Sequence, residues 1–360
     1  MRPNISIDPD FSRFRKTLFM EKADRIPLFD FNVDIKIKSE IIGRPLITPQ
    51  DEVDFWMQAG YDYIQVRLDP IAESNVAPYN PGDDIADDSQ SSTLAPNEGT
   101  YGKLDKKKLE EGIFPWTEVY KGTWDLKNDY NLSHLKEVAE CMPGSMKMLV
   151  HGADIFTRSW IAMGFEPFCY ALYEDPELVE ELFRQNYIAE QRRFDILFEE
   201  LGSAIGGIFF SDDIAYTGGL MLSPDIFRHY LFPYMEKLFQ PAKEMDLPVI
   251  YHTDGRLWDV FDDFLKLGIR GIQPLEPKSM DLAELKAKRG KQFCLMGSVD
   301  IDLLSRGRPE EVDAMVKERI ETLGYDGIYM VGTSNTVPYY VNVENYITMI
   351  EASRKYGMLE

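Results

Sequence analysis

Residues that can bind metal ions or move protons stand directly after an apolar stretch in the segment VIYHTDG, residues 249–255. His252 is one of only four histidines in the chain, and Asp254 lies two positions further on. A histidine beside a carboxylate can bind a divalent metal ion, exchange a proton or hold a polar ligand. A buried strand that simply ends at the solvent explains the same pattern. The two interpretations differ in what they predict for the other apolar stretches.

Polar residues of the same kinds follow most of the other apolar stretches. These polar residues are Asp30, Asn32, Asp69, His151, Asp154, Asp212, Asp213, Glu276, Asp300, Ser334 and Asn335. Loops are polar in general, so part of this pattern arises by chance. Carboxylates that crowd together repel one another, and they then acquire raised pKa values or require a cation between them. We therefore interpret His252 as one wall of a pocket that these residues share.

Eight apolar stretches separated by helical patterns could position these residues. The predicted strands are residues 26–31, 61–69, 146–151, 205–212, 249–251, 271–276, 293–297 and 327–332. Pro176, Pro224 and Pro309 stand at predicted first positions of helices, and Pro233 should bend the helix that contains it. Strands that alternate with helices predict a parallel sheet. Eight such units predict an α/β fold, the (β/α)8 or TIM barrel, in which the strand ends surround one catalytic mouth.

One segment, residues 70–133, interrupts the alternation after the second predicted strand. It is rich in Asp, Asn, Gly, Pro and Ser. An insertion of this length is either functional or disordered. Its second half carries Tyr101, Phe114, Trp116, Tyr120 and Trp124, which favours a lid over the mouth; a mobile surface loop is the alternative. No second domain is predicted, so we expect residues 1–360 to form a single barrel domain.

Composition limits the environment and the partners of the protein. The chain carries 61 acidic and 39 basic residues, a net charge of −22, which disfavours binding to nucleic acid and to anionic membranes. Three widely spaced cysteines argue against a disulfide scaffold and for a reducing compartment. The start of the sequence lacks the apolar stretch of a signal peptide, and no segment has the length of a membrane span. We expect a soluble cytoplasmic protein.

Several motifs resemble the uroporphyrinogen decarboxylase superfamily. They are, in order, ADRIPLFDFN, SDDIAYTGGLMLSP, PVIYHTDG, GIQPLEP, LMGSVDIDLLSRGRPEEV and VENYITMIEASRKYG. The resemblance extends from about Lys22 to Gly357 and is weakest in the 70–133 insertion. It implies a (β/α)8 barrel with its site at the carboxyl ends of the strands, and a homodimer. It also implies one of two activities: decarboxylation of uroporphyrinogen, or methyl transfer with a corrinoid protein, often with a zinc ion.

The sequence departs from the decarboxylase pattern. The family's arginine-rich motif near the amino terminus, which grips substrate carboxylates, is replaced here by FDFNVDIKIKSE. The family's histidine in a Gly-His-Gly context after the last strand is replaced by the segment from Gly332 to Asn335. An acidic mouth would repel a porphyrinogen with eight carboxylates. These departures favour the methyltransferase branch.

The sequence also departs from the branch of the superfamily that methylates thiols. That branch binds zinc through His-x-Cys and a distant cysteine, whereas His252 is followed here by Thr253 and Asp254. Histidine and carboxylates can still bind zinc at ~2.0–2.2 Å. The demethylase branch of the superfamily uses mixed carboxylate ligation, so the resemblance is compatible with a His/Asp/Glu site in this chain. Hydrogen bonding of substrate by His252 and Asp254 without a metal is the alternative.

The leading hypothesis is a methyltransferase that takes a methyl group from a small donor, such as a methoxylated aromatic compound, and passes it to a corrinoid protein. His252, Asp254 and Glu276 are the predicted catalytic residues and zinc ligands. The predicted substrate-binding residues are Asp30, Asp69, Asp212, Asp300 and Asn335. No Asp-x-His-x-x-Gly corrinoid motif occurs in the chain, so a partner protein would supply the corrinoid. The alternatives are a metal-free decarboxylase that uses Asp69 or Asp30, and a ligand-binding barrel without catalysis.

Overall fold

A parallel sheet of seven strands forms the centre of the computed structural model, which describes residues 2–69, 107, 125–128 and 130–359. Neighbours in the sheet follow the order of the chain, and every pairing between them is parallel. The strands are β1 Tyr63–Arg67, β2 Lys147–Ala153, β3 Ile205–Ser211, β6 Val249–His252, β7 Ile269–Gln273, β8 Cys294–Met296 and β9 Tyr329–Met330. A separate antiparallel hairpin, β4 Ala215–Tyr216 with β5 Gly219–Leu220, follows β3. The seven sheet strands coincide with the second to eighth strands predicted from the sequence.

The first predicted strand, residues 26–31, is not a regular strand in the structure. It meets β9 through one parallel bridge, between Leu28 and Val331, and the Phe29 amide donates to the Val331 carbonyl at 2.8 Å. Toward β1 its contact is made by a side chain: the Tyr63 hydroxyl accepts from the Asp30 amide at 2.9 Å and donates to the Asp30 carbonyl at 2.6 Å. Pro27 has no amide hydrogen to add to a ladder. The described fold is therefore a seven-stranded sheet, with this segment between its two edges.

Helices connect the strands and cover the sheet. Asp175 accepts a hydrogen bond from the Leu178 amide and Pro176 occupies the first helical position, as predicted for the longest helix. The bend predicted at Pro233 divides one expected helix into two. The helices are Phe11–Leu18, Ile35–Ile42, Pro49–Gln58, Leu132–Cys141, Phe156–Met163, Phe165–Glu174, Pro176–Leu201, Pro224–Tyr230, Phe232–Glu244, Phe261–Leu267, Leu282–Arg289, Ile301–Arg306, Pro309–Leu323 and Val343–Tyr356, with one 3₁₀ turn at Gly202–Ala204.

Side chains alternate between the two faces of the sheet, and this alternation decides which residues reach the strand ends together. In β3 the Phe209 ring contacts the rings of Phe31 and His252, whereas the next ring, Phe210, contacts Tyr251 on the other face. The same alternation continues past the end of the strand. No helix among the described residues has the length and apolarity needed to cross a membrane. The lid predicted over residues 70–133 lies almost entirely outside the described residues.

Candidate functional site

Two carboxylates and one histidine meet where β3 and β6 end. His252 Nε2 lies 3.9 Å from Asp213 Oδ1 and 4.0 Å from Asp254 Oδ1. One ligand atom from each of the three residues lies within 4.8 Å of the others. The loops hold one another in place, because the Asp254 amide donates to Asp213 Oδ1 at 2.9 Å. This group is called the His252 cluster below.

The imidazole of His252 is oriented by the neighbouring strand. Its Nδ1 lies 2.5 Å from Gln273 Oε1, the last side chain of β7, and its ring is 4.4 Å from the Phe31 ring between centroids. An amide oxygen can only accept, so Nδ1 carries a proton, and in a neutral imidazole Nε2 is then the atom with the lone pair. That lone pair lies on the side of the two carboxylates. A hydrogen bond that fixes the tautomer of a ligating histidine in this way is usual at metal sites.

The ionised form of the Asp254 carboxyl group is destabilised by its surroundings in the cluster. Burial, together with the nearby charges of Asp213 and Glu276, raises the pKa of Asp254 to about 6. His252 and the Asn335 amide, 3.3 Å from Asp254 Oδ2, act in the opposite direction without cancelling the effect. A divalent cation between these oxygens and His252 Nε2 would relieve the repulsion. One nitrogen and two carboxylate ligands suit zinc, and they leave a position open for substrate.

Glu276, the third predicted metal ligand, lies beside the cluster but outside the group of three converging residues. Its Oε2 accepts from the Gly255 amide and from the Ser279 hydroxyl, both at 2.9 Å. These bonds hold the side chain against the loop that carries Asp254. Glu276 is close enough for its charge to raise the pKa of Asp254. Its role as a metal ligand stays a prediction, and the third member of the converging group is Asp213.

Two predicted substrate-binding residues line an open cavity of ≈ 300 Å³ next to the cluster. Asp300 and Asn335 share this cavity with Glu276, Lys278 and Tyr340. Asp300 also caps the Ile301–Arg306 helix, accepting from two amides of its first turn. A cavity of this size suits a small organic molecule. Contact of Asp300 and Asn335 with such a molecule stays a prediction.

Asp212 and Asp30 are buried, and their oxygens are already satisfied within the protein. Asp212 accepts from the amides of Phe156 and Thr157 and from the Thr157 hydroxyl, at 2.7 to 2.8 Å. Asp30 Oδ1 accepts from the amide and the hydroxyl of Thr333, at 2.7 and 2.8 Å. Both side chains therefore fasten elements around the mouth. Direct contact of either with substrate, as the sequence analysis expected, stays an untested prediction.

Asp69, the remaining predicted site residue, lies at the end of β1 among arginines. Its Oδ1 is 2.9 Å from Arg67 Nε and 3.5 Å from Arg193 Nη2. The Asn131 side chain fixes the Asp69 backbone, since its Oδ1 accepts from the Asp69 amide at 3.0 Å. The structure thus places Asp69 near His151, at β1 and β2, and not in the His252 cluster.

Asp213 belongs to the His252 cluster and Gln273 contacts it, and neither is among the residues predicted from the sequence to bind metal or substrate. The period of a strand contained a signal for Asp213, because alternate residues share a face: Phe209, Ser211 and Asp213 follow one another on the side of His252, and Asp212 faces away. The sequence SDD offered two candidate carboxylates, and the first was chosen. Gln273 carried no comparable signal, since its function depends on the lateral register of β6 and β7, in which it is paired with His252.

Comparison with known proteins agrees with this architecture. No curated protein matches the chain in sequence. Among solved structures, a methyltransferase from Methanosarcina mazei has a TM-score of 0.67 at 18% identity, and the match covers 96% of this chain and 98% of that one. A sugar phosphate isomerase/epimerase from Parabacteroides distasonis ATCC 8503 is far less similar, with a TM-score of 0.33 at 11% identity over 73% of this chain and 97% of that one. The first likeness shows the fold alone.

Sequence identifies the family. The model of the family described as uroporphyrinogen decarboxylase (URO-D) matches residues 132–356, the part of the chain that contains β2 to β9 and the whole His252 cluster. This match extends over more than half of the chain, and it agrees with the resemblance found in the motifs around Asp212 and His252. The chain belongs to the uroporphyrinogen decarboxylase (URO-D) family.

Proposed function

We propose that this protein is a metal-assisted methyltransferase that takes a methyl group from a small donor and passes it to a corrinoid carried by another protein. The observation that carries the proposal is the convergence of His252 Nε2 with the carboxylates of Asp213 and Asp254 beside an open cavity. A purely structural strand end does not need a histidine lone pair aimed at two carboxylates. Zinc is the proposed metal, since imidazole and carboxylate are among its usual ligands.

The chain's own residues have separate parts in this proposal. His252, Asp213 and Asp254 would hold the ion, and Gln273 would keep the His252 lone pair directed at it. Zinc, when bound, would withdraw charge from the heteroatom that the methyl group leaves. Glu276 would fix the loop that carries Asp254 through its bond to the Gly255 amide. The cavity lined by Asp300 and Asn335 would receive the donor.

The family supports an enzyme, and the differences from the decarboxylase pattern support this branch of it. The printed name of the Methanosarcina mazei structure, methyltransferase, agrees with the proposal. The chain contains no Asp-x-His-x-x-Gly motif, so the corrinoid is proposed to arrive on a partner protein at the open mouth. We also propose that the segment around Leu28 completes an eight-stranded TIM barrel, and that the protein acts as a homodimer in the cytoplasm.

Metal analysis tests this proposal. The full-length protein, purified without chelators, is expected to hold zinc near one equivalent. His252→Ala and Asp213→Asn should each lose most of it, because each removes one of three ligands. The His252→Ala change should alter the free energy of unfolding only by the ~0.5–3 kcal/mol of an ordinary substitution, since His252 is buried but is the last residue of β6, next to the mouth.

A second histidine provides the control. His229 is exposed on another face, 3.6 Å from Glu180, and His229→Ala should leave the zinc content unchanged. Equal zinc loss in both histidine variants would show adventitious binding. A wild-type protein without zinc would contradict the metal-assisted mechanism and favour a decarboxylase or a ligand-binding barrel. Methyl transfer itself is measured by supplying a methoxylated aromatic donor and a reduced corrinoid protein.

A further inference from the structure

A second cleft opens at the mouth, on the side of β1 and β2, and its character differs from that of the His252 cluster. It has a volume of ≈ 160 Å³, and its polar lining consists of Asn32, Lys38, Gln65, Arg67 and His151. None of the described residues that line it is a carboxylate. Lys38 is neutralised by Glu52, whose Oε1 lies 2.5 Å away. The cationic group that this cleft presents is therefore the guanidinium of Arg67.

Two further arginines, Arg158 and Arg193, lie behind Arg67 and belong to one network of ion pairs with it. Asp69 is shared between Arg67 and Arg193, and Glu190 is shared between Arg193 and Arg158. Asp154 also lies close to Arg67 and Arg158, so among the described residues three guanidinium groups and three carboxyl groups form one network. On the side of the cleft, this network presents the half-buried side chain of Arg67.

His151 offers a buried donor to this cleft. It is 3% exposed, and its Nδ1 has no hydrogen-bond partner among the described residues. Its Nε2 lies 2.8 Å from the Ser211 hydroxyl. Burial, together with the charges of Arg67 and other cations, keeps the pKa of His151 well below its usual value, so the ring is neutral. When the Ser211 hydroxyl donates to Nε2, the single ring proton lies on Nδ1, which becomes a donor.

Arg67 and Gln65 can complete the set of donors. The Arg67 side chain is 33% exposed, and only its Nε approaches a carboxylate within the described part of the chain. Its two terminal amino groups form the planar fork that binds a carboxylate through two parallel hydrogen bonds. Gln65 Oε1 already accepts from the Asn32 amide at 3.1 Å, which leaves the Gln65 amino group as a further donor.

Aromatic rings separate this cleft from the His252 cluster. The Phe31 ring lies 6.1 Å from the His151 ring and 4.4 Å from the His252 ring, measured between centroids. Phe209 lies 4.9 Å from His151 and 5.9 Å from His252. The two histidines are therefore little more than one aromatic ring apart. A small molecule with an apolar middle could contact both ends of the mouth.

We propose that the cleft of Gln65, Arg67 and His151 binds a carboxylate of the substrate, so that the apolar part of the substrate extends past Phe31 toward the His252 cluster. This inference rests on the proposed function for the reaction at the opposite end. The methyl donor is then an organic acid, held by its anionic end in this cleft, while its methyl-bearing end extends to the cluster and the adjoining cavity of Asp300 and Asn335. Arg67 provides the positive charge that pairs with the carboxylate, and His151 and Gln65 provide hydrogen-bond donors that orient it.

A matched pair of probes tests the cleft without requiring turnover. Benzoate and benzamide have nearly the same shape, and only benzoate is charged. Calorimetric titration of the full-length protein is expected to show benzoate binding at least about tenfold more tightly than benzamide, because its carboxylate accepts charge-assisted hydrogen bonds. Arg67→Gln should abolish this preference, and Arg67→Lys should retain part of it. His151→Phe should weaken benzoate binding and leave benzamide unaffected.

The control variant removes one positive charge from a part of the protein that is distant from the cleft. Arg15 belongs to the Phe11–Leu18 helix, far from the mouth, and it pairs with Asp246. The Arg15→Gln variant should bind both probes as the wild type does. Zinc content should be unchanged in Arg67→Gln, so loss of the cleft and loss of the metal site are separate results. Equal affinity for the two probes, no saturable benzoate binding, or wild-type benzoate affinity in Arg67→Gln would each overturn the proposal.

Discussion

A single amide, Gln273, decides whether His252 can serve as a ligand. In the proposed site the imidazole contributes through Nε2, and this requires a proton on Nδ1. Gln273 Oε1 accepts that proton's hydrogen bond at 2.5 Å, and Phe31 limits rotation of the ring. Hydrogen bonds of this kind at metal-binding histidines are worth about 10- to 100-fold in metal affinity. The orientation of His252 is therefore as important to the site as its presence.

Gln273→Leu should lower zinc affinity about 10- to 100-fold while the protein stays folded. Leucine fills a similar volume but cannot accept the hydrogen bond, so either tautomer of His252 becomes available. Gln273→Glu keeps an acceptor at the same place and should restore most of the affinity. Competition with a zinc-binding chromophore measures the change.

Another buried glutamine serves as the comparison for this prediction. Gln185 is 5% exposed and bonds to Glu181 within the Pro176–Leu201 helix, so Gln185→Leu should not change zinc affinity. If Gln273→Leu binds zinc like the wild type, the Gln273 bond has no part in ligation, and the tautomer argument fails.

Residue types and strand period together could predict most of the candidate site, and lateral register could not be read from the sequence. His252 and Asp254 stood out because polar residues end an apolar stretch. The strand period could also identify Asp213, since it lies on the same face of the sheet as Phe209. Gln273 and the Arg67 cleft depend on which residues lie side by side in neighbouring strands, such as His252 with Gln273 and Arg67 with His151. One sequence contains no direct record of those pairings.

At the scale of elements, Asp212 connects β3 to the Phe156–Met163 helix. Its carboxylate accepts three hydrogen bonds from the start of that helix, where unpaired amides need acceptors. Asp212→Ala should therefore lower the free energy of unfolding by about 0.5–2 kcal/mol, the usual loss when a helix cap is removed. Chemical denaturation measures it. The neighbouring variant Asp213→Asn should change stability less and zinc content more; the reverse order would show that Asp212 is the ligand.

Gly255 holds two loops of the mouth against each other. It has a φ of +92°, and a Cβ added there would lie 2.6 Å from the Tyr216 carbonyl oxygen in the β4 hairpin. Its amide also donates to Glu276. Gly255→Ala should separate the hairpin from the loop that carries Asp254, and so reduce both stability and zinc affinity.

Gly43 is the control that separates the cost of a strained backbone from the cost of a steric clash with the hairpin. Its φ is +73°, but a Cβ there would meet nothing within 4 Å. Gly43→Ala should cost only the roughly 1–2 kcal/mol of left-handed backbone strain, with zinc binding unchanged. Thermal unfolding and metal analysis of both variants test the argument, which fails if Gly255→Ala is no more damaging than Gly43→Ala.

The fold was more predictable from sequence in its middle than at its beginning. Most strands of the sheet, from β2 to β9, are apolar stretches that are largely buried, so composition marks them. The segment around Leu28 has the same composition, yet it forms only isolated bridges to Val331 and Val337. Its neighbours are the two edges of the sheet, and its position depends on side chains such as Tyr63 and Asp30. Those contacts join residues far apart in the chain, which a local pattern does not reveal.

At the scale of the whole molecule, Asp30 joins the first segment to the last part of the chain. Besides Thr333, it accepts from the hydroxyls of Tyr61 at 2.5 Å and Tyr346 at 3.2 Å. Tyr346 belongs to the final helix, Val343–Tyr356, and Tyr61 directly precedes β1. One fully buried carboxyl group thus connects both edges of the sheet. Burial raises its pKa to about 6, although each of these hydrogen bonds acts to lower it.

The raised pKa of Asp30 predicts how the free energy of unfolding changes with pH. The folded state holds the Asp30 proton more tightly than the unfolded state, so the stabilisation is fully present below the ordinary pKa of 3.8 and is lost as the pH rises through about 6. Asp30→Asn removes this dependence, and the variant should gain on the order of 3 kcal/mol relative to the wild type between about pH 4 and pH 7. Urea denaturation across that range measures the difference.

Asp313 provides the control with the opposite pH dependence, because the hydrogen bond from Tyr356 lowers its pKa. The Asp313→Asn variant should lose stability relative to the wild type as the pH rises. Parallel pH profiles for the wild type and Asp30→Asn would show that Asp30 is ionised in the folded protein throughout.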